Sequence, residues 1–400
     1  MFNNLSRVVL GLSLILIVVL IISANNFYEP ANKVYKPENE EDNSKAQNNE
    51  NELNDNLEEK DKSDTEEITK PQEKKPEIEY ALYDGIIENI FFHPLIAYTD
   101  KAFDDDNRKN HMDTWFITVD EFEKILHSLY ENDYILINMD KAYKIKEENG
   151  KKIFESRPFE LPKGKKPLVI SIDDLNYYDY MKKNGTIHKL ILDENNNIAE
   201  FTQFEGQEPT ISYNKSIINI LESFIETHED FSFKGARGII ALTGYNGIFG
   251  YDTSKQSSPT YKEDLEKATK IAERLKNMGW LFASHGYSHL DAREASYDSL
   301  AWDCHRWDTH VRQLTGPTNI YVYPFGASLR SSDPKYGVLI DYGFDVFMGV
   351  GRQTPIYFRS NSIYTNRLPI DGHCLKGTYG DVSRFFNIEE IIDNSRPNSN

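Results

Sequence analysis

Three short stretches bring together side chains that can do chemistry: Ser171-Ile172-Asp173-Asp174, Ser284-His285-Gly286-Tyr287-Ser288-His289 and Tyr323-Pro324-Phe325-Gly326. Adjacent carboxylates at a strand end project to opposite sides of the backbone, so Asp173 and Asp174 can divide the work, one holding a cation and the other handling protons. His285 and His289 stand four residues apart, a spacing that lets both rings reach one ion from one side of a helical turn. Two histidines and one aspartate, with open positions for water, make a hydrolytic metal site in which the ion acidifies water and polarises a carbonyl. The aspartate left unligated is then the general base. None of the three stretches carries a Gly-rich phosphate loop, a serine nucleophile elbow or a Cys-x-x-Cys pair. That leaves metal and carboxylate chemistry.

Each stretch follows a short apolar run: PLVI, WLFA and NIYV. With GIIAL and FDVFMGV these runs are nearly continuous, as in parallel strands covered on both sides. Upstream, GIIENIFF and YILINM flank a helix that opens on a Thr118-x-x-Glu121 capping box and carries Phe122, Ile125, Leu126 and Leu129 on one face. Further helices are predicted over 214–228, 262–278, 294–314 and 333–342, with Gly279, Gly316 and Gly343 at or near their C-terminal ends. LILDENNNIAEF reads as a hairpin with an Asn-rich turn. A parallel barrel or an open α/β sheet follows, and in both the chemistry sits at the carboxyl ends of the strands.

The rest of the chain bounds where such a domain works. Of 400 residues, 64 are acidic and 45 basic, for a formal charge of −19. Residues 29–79 hold 17 of the acids and 8 of the bases. That segment, rich in Asn, Glu, Lys and Pro, cannot bury enough apolar surface to order itself and reads as a disordered linker. The acidic balance argues against a nucleic-acid partner. From Val8 to Tyr28 no residue is charged, and Arg7 precedes this run. Residues 1–28 are therefore expected to be a cytoplasmic tip and a transmembrane signal anchor, with everything after them outside; a cleaved signal peptide is the alternative. Two cysteines, Cys304 and Cys374, are too few for a disulfide framework.

The three motifs together resemble the polysaccharide deacetylase family, the NodB homology domain of carbohydrate esterase family 4. Ser171-Ile-Asp-Asp174 is similar to its Thr-Phe-Asp-Asp-Gly, His285-Gly-Tyr-Ser-His289 to its His-Ser/Thr-x-x-His, and Tyr323-Pro-Phe-Gly326 to its Pro-x-Gly turn. Phe91-Phe92-His93-Pro94 looks like the lead-in of surface-polysaccharide and poly-N-acetylglucosamine deacetylases. The resemblance implies a distorted (β/α)7 barrel. Residues 80–166 would form the lead-in and residues 167–400 the catalytic domain, with an insertion near 175–230. It also implies hydrolysis of N-acetyl groups on amino sugars of an envelope or exported polysaccharide. By the same resemblance Asp173 is the general base, Asp174, His285 and His289 hold a divalent metal, most often zinc, the Phe325 N–H holds the oxyanion, and Pro324 and Gly326 of that turn bind substrate.

Three family positions depart from the pattern. The glycine that follows the Asp pair is Leu175 here. The arginine that positions the base is replaced by Val322, and Arg367 is the candidate substitute; the histidine that protonates the leaving amine has no clean match, and His373 is the nearest late histidine. His93 is a candidate for lining the site. Tyr177 leads Tyr178, Tyr180, Tyr245 and Trp307 as a candidate to stack on sugar. The competing reading is a catalytically silent glycan-binding relative on the same barrel. A metal-independent glycosidase ranks behind both.

Overall fold

The computed structural model describes residues 78–397. The expected anchor at 1–28 and nearly all of the linker at 29–79 lie outside them. Among the described residues no helix is long and apolar enough to cross a membrane.

Seven parallel strands close into a barrel: β1 (Glu88–Phe92), β2 (Lys166–Asp173), β3 (Ile239–Leu242), β4 (Leu281–Ser284), β5 (Ile320–Val322), β6 (Val346–Val350) and β7 (Ile363–Pro369). Each pairs with the next, and β7 returns to β1. A short strand, Tyr134–Leu136, pairs with the first half of β2, on the edge that β3 takes over from Ser171 onward. The barrel thus draws its first strand from before residue 167.

Alternation along the strands divides the core in two. Val169, Ile239, Ala241, Ala283, Val322, Val346, Met348 and Ile363 belong to one apolar cluster, while Ile170, Ile172, Ile240, Leu242, Phe282 and Phe347 pack with the surrounding helices in another. The period of two along a strand then sends Ser171 and Asp173 to the side of Val169, His285 to that of Ala283, and Thr365 and Arg367 to that of Ile363. Small aliphatic groups fill one end of the interior, and the polar groups gather at the carboxyl end.

The helices follow the apolar periodicity. α1 (Lys109–Trp115) is short, and α2 (Val119–Glu131) starts at the expected capping box, with both reciprocal hydrogen bonds present. α3 (Ile217–Thr227), α4 (Tyr261–Asn277), α5 (Tyr297–Trp307) and α6 (Pro334–Asp341) cover the barrel. The expected helix over 294–314 runs from Tyr297 to Thr315, its ladder widening into a π-helical turn at Asp308–Arg312. Gly279, Gly316 and Gly343 all have positive φ, as helix-ending glycines do. The Asn-rich hairpin is present as Lys189–Leu192 paired with Ile198–Thr202, and Asn196 takes a left-handed φ of 60° in its turn.

Candidate active site

The chemically loaded strand ends meet in one cavity of about 790 Å³, lined by Asp173, Asp174, His285, His289, His93, Phe325, Gly326, Asp371 and His373 among others. Asp174, His285 and His289 offer ligand atoms that all lie within 4.8 Å of one another.

Strict alternation would turn Asp174 away from Asp173 and out of the barrel. Its φ of 59° instead folds the chain back at the strand end. His289 (φ 55°) and Phe325 (φ 57°) share this left-handed conformation, which costs a side-chain-bearing residue about 1–3 kcal/mol and gathers at functional sites. The Tyr178 hydroxyl donates to Asp174 Oδ1 at 2.7 Å, and Asp174 Oδ2 lies 3.8 Å from His289 Nε2.

His285 Nδ1 lies 2.9 Å from the Val322 carbonyl. A carbonyl only accepts, so Nδ1 carries the proton and Nε2 keeps its lone pair for a metal. The expected helical turn between the two histidines is absent. Residues 285–289 form an irregular loop, with Gly286 at φ 65°, and its peptide N–H groups at Tyr287 and Ser288 both donate to the Asp303 carboxylate at 2.7 Å. A helical turn would point those N–H groups along its own axis; the buried Asp303 on α5 collects them instead. Burial opposes the charged imidazole of His289 more than Asp174 favours it, pulling its pKa down to about 4. It is therefore neutral near pH 7, the form that binds a metal.

Two imidazoles and one carboxylate converge here with a fixed tautomer and a neutral second ring. This donor set suits zinc and other first-row divalent ions.

Asp173 has a separate partner. Arg367 Nη1 donates to Oδ1 at 2.6 Å and Nη2 to Oδ2 at 2.9 Å, while Nη1 also reaches Ser171 Oγ at 3.0 Å. Burial works against the Asp173 charge, but Arg367, followed by His285, outweighs it and holds the pKa down at about 2. The arginine missing at Val322 thus has its counterpart on β7. The guanidinium sits 4.2 Å over the Phe91 ring and is fully buried.

In the turn after β5, Gly326 lines the cavity with φ 66°, and a Cβ there would meet the Val350 Cβ at 2.7 Å. Phe325 lays its ring edge-on to His289 at 4.4 Å. Among the described residues its N–H has no acceptor. Pro324 does not line the cavity: it is buried behind the turn, near Gly286. Tyr177 does not line it either. With φ 56° its ring turns into the apolar layer between barrel and helices, where it is 2 % exposed, and Trp307 is likewise core.

His93 and His373 both line the cavity, but their surroundings differ. The His93 ring packs against Phe91 and Phe116, whereas His373 stands edge-on to Trp115 with Nδ1 3.1 Å from Thr378 Oγ1. Sequence reasoning also missed Asp303, Asp371, His111 and Trp115. Only the extended run of helix 297–307 beside the His pair hinted at the first.

A family model described as polysaccharide deacetylase matches residues 254–345, the part of the barrel that carries His285, His289 and the Tyr323–Gly326 turn. No curated protein matches the chain in sequence. Similar solved structures include a de-N-acetylase from Aggregatibacter actinomycetemcomitans, 14 % identical, with 75 % of this chain and 99 % of that one covered and a TM-score of 0.41. IcaB from Ammonifex degensii is 12 % identical over 72 % of this chain and 92 % of that one, TM-score 0.38. The deacetylase PplD of Streptococcus pyogenes, in complex with acetate, is 14 % identical over 74 % and 98 %, TM-score 0.38. The family match over 254–345 spans the histidine pair and the Pro-x-Gly turn, so in that part of the barrel the chain is similar to the polysaccharide deacetylase family.

Proposed function

We propose that this polysaccharide N-deacetylase is a metal-dependent, membrane-tethered enzyme that acts outside the membrane on amino sugars of a cell-envelope or exported glycan. One observation carries the reading: Asp174, His285 and His289 converge in the same cavity as a second carboxylate, Asp173, held by an arginine. A silent binding module has no need of that second, separately partnered carboxylate. The tether rests on the uncharged run from Val8 to Tyr28, with Arg7 before it and the acidic segment after it.

A divalent ion held by Asp174, His285 and His289, zinc by the donor set, would supply Lewis acidity to the acetamide carbonyl and acidify water beside Asp173. Asp173, kept ionised and oriented by Arg367, takes a proton from the attacking water. The carbonyl oxygen becomes an oxyanion, and the Phe325 N–H is available to hold it. The C–N bond then breaks, acetate forms, and the leaving amine takes a proton. We assign that proton to His93 rather than His373, because the His93 ring packs against Phe91, the ring beneath the guanidinium that holds Asp173, whereas His373 Nδ1 is engaged by Thr378.

The test uses the full chain in detergent, stripped of metal and then supplied with zinc or cobalt, with acetate release measured from N-acetylglucosamine oligomers and from peptidoglycan. Metal-dependent release that disappears in Asp173→Asn supports the reading. Tight metal binding without acetate from any glycan would leave the silent binding module in its place.

A further inference from the structure

One wall of the catalytic cavity comes from α1 and the residue after it, through His111, Trp115 and Phe116. α1 has seven residues and no side-chain cap. A helix that short is not stable by itself and depends on what packs on it. Arg396, near the end of the chain and 4 % exposed, provides much of that support. Its Nη1 donates to the Asp113 carbonyl at 2.9 Å and to Asp113 Oδ1 at 2.8 Å, and its Nη2 to the Phe116 carbonyl at 2.7 Å. Its Nε and Nη2 meet the two Glu121 oxygens at 2.5 and 2.8 Å. Lys376 also pairs with Asp113. One guanidinium therefore ties the last turn of α1, the residue that follows it and the first turn of α2, taking up carbonyls that a helix end leaves unpaired.

The group this arrangement presents is Trp115. Although it lines the cavity, its side chain is 43 % exposed, and it stands edge-on to His373 at 4.9 Å. A rigid indole with an open face beside catalytic groups is suited to stack on the apolar face of a pyranose ring. The other exposed aromatic of the cavity, Phe325, neighbours His289 instead of His373.

We propose that Arg396 is a positioning residue for glycan binding: through α1 it fixes Trp115 as a platform for a sugar unit next to the one that is deacetylated. This rests on the deacetylase reading above, and it makes the substrate an oligomer or polymer rather than a single amino sugar.

The experiment compares the full chain with Trp115→Ala, Arg396→Lys, Asp113→Asn and the double variants Trp115→Ala/Arg396→Lys and Trp115→Ala/Asp113→Asn, on N-acetylglucosamine from monomer to pentamer. Each single substitution is expected to raise KM for the pentamer about tenfold, the ratio for a loss of about 1.4 kcal/mol, with kcat changed far less and the monomer unaffected. In the Trp115→Ala background, Arg396→Lys should raise KM no further. If Arg396→Lys does not accumulate as folded protein, Asp113→Asn, which leaves the Glu121 contacts in place, reads the same link. The proposal is overturned if the Arg396 or Asp113 variants raise KM equally with and without Trp115, or if KM for the pentamer stays unchanged. Should the unsubstituted chain release no acetate, the deacetylase reading fails first. Calorimetric binding of the pentamer then decides the proposal: weaker binding in the same variants supports it, and equal or absent binding overturns it.

Discussion

Arg367 and Asp173 form a bidentate ion pair across the barrel interior, at 2.6 and 2.9 Å, although 194 residues separate them and their strands, β7 and β2, are not neighbours. β1 lies between. The guanidinium passes over Phe91 on that strand to reach the carboxylate. Both groups are almost wholly buried, so each depends on the other for its charge. Removing one partner of such a pair typically costs about 3–5 kcal/mol. Arg367→Ala should therefore lose about that much stability in urea unfolding. Arg367→Lys keeps the charge without the planar fork and should stay folded with reduced kcat. Asp173→Asn leaves the buried Arg367 charge unpaired, so it should lose stability too, and it should lower kcat about 10²–10⁴-fold if Asp173 is the base. An Asp173→Asn variant with normal acetate release would remove it from that role.

Acid should unfold the metal-stripped protein in two separable ranges. His289 has an ordinary pKa of 6.5 and is held at about 4 by burial, so the unfolded chain binds the extra proton first. The stability this group contributes is present above about pH 6.5 and is lost as the pH falls to about 4. Asp173 has an ordinary pKa of 3.8 and is held at about 2, burial being outweighed by Arg367. Its contribution is present above about pH 4 and is lost as the pH falls through about 2. Urea unfolding between pH 7 and pH 2 should show the upper range flattened in His289→Gln and the lower range flattened in Asp173→Asn. Identical pH dependence in variant and parent would contradict both assignments.

Much of this architecture was legible in the sequence because barrel strands covered on both sides are nearly all apolar. β2 to β6 each advertise themselves that way. β7 does not, since its inward positions are Thr365 and Arg367, and it reads as a polar connection. The residue that partners Asp173 is thus what hides its own strand. The two motif carboxylates and the two histidines were visible from spacing. The means of bringing them together was not, because left-handed backbone at Asp174 and His289 leaves no compositional mark when the residue is not glycine. Tyr177 misled for a related reason: proximity to the Asp pair says nothing of which side a ring takes once the chain has reversed. Asp303 lies on the helix that follows the His pair, whereas Asp371 and Trp115 come from a helix start and a helix end remote from the motifs in sequence, and only the fold delivers those two.

Asp303 is the clearest of these to test. Its carboxylate receives the Tyr287 and Ser288 N–H groups, both at 2.7 Å, and so shapes the loop on which His285 and His289 sit. A Cβ at Gly286 would come within 2.9 Å of Asp303 Oδ2, which shows how closely the loop wraps that side chain. Asp303→Ala leaves two buried N–H groups without an acceptor. Groups that orient metal-binding residues typically change affinity about 10–100-fold when removed. Zinc titration by calorimetry should show a loss of that size in Asp303→Ala, with His285 and His289 both still present. Unchanged affinity would mean that the loop keeps its shape without this carboxylate.

The proton donor can be separated from the other cavity histidine by the choice of leaving group. An amine leaves poorly unless protonated, whereas a nitrophenolate leaves readily without help. A group that acts as general acid is therefore needed for the amide and dispensable for an activated ester. His93 packs against Phe91, the ring beneath the Arg367 guanidinium that binds Asp173, while His373 contacts Thr378 and Trp115. His93→Gln should lose about 10²–10⁴-fold in kcat on N-acetylated glycan and retain most of its activity on p-nitrophenyl acetate. His373→Gln, by the same argument, should keep kcat on both substrates and show its effect in KM for longer glycans, where the neighbouring Trp115 makes its contact. The reverse pattern, with amide activity lost in His373→Gln and kept in His93→Gln, would transfer the role to the later histidine.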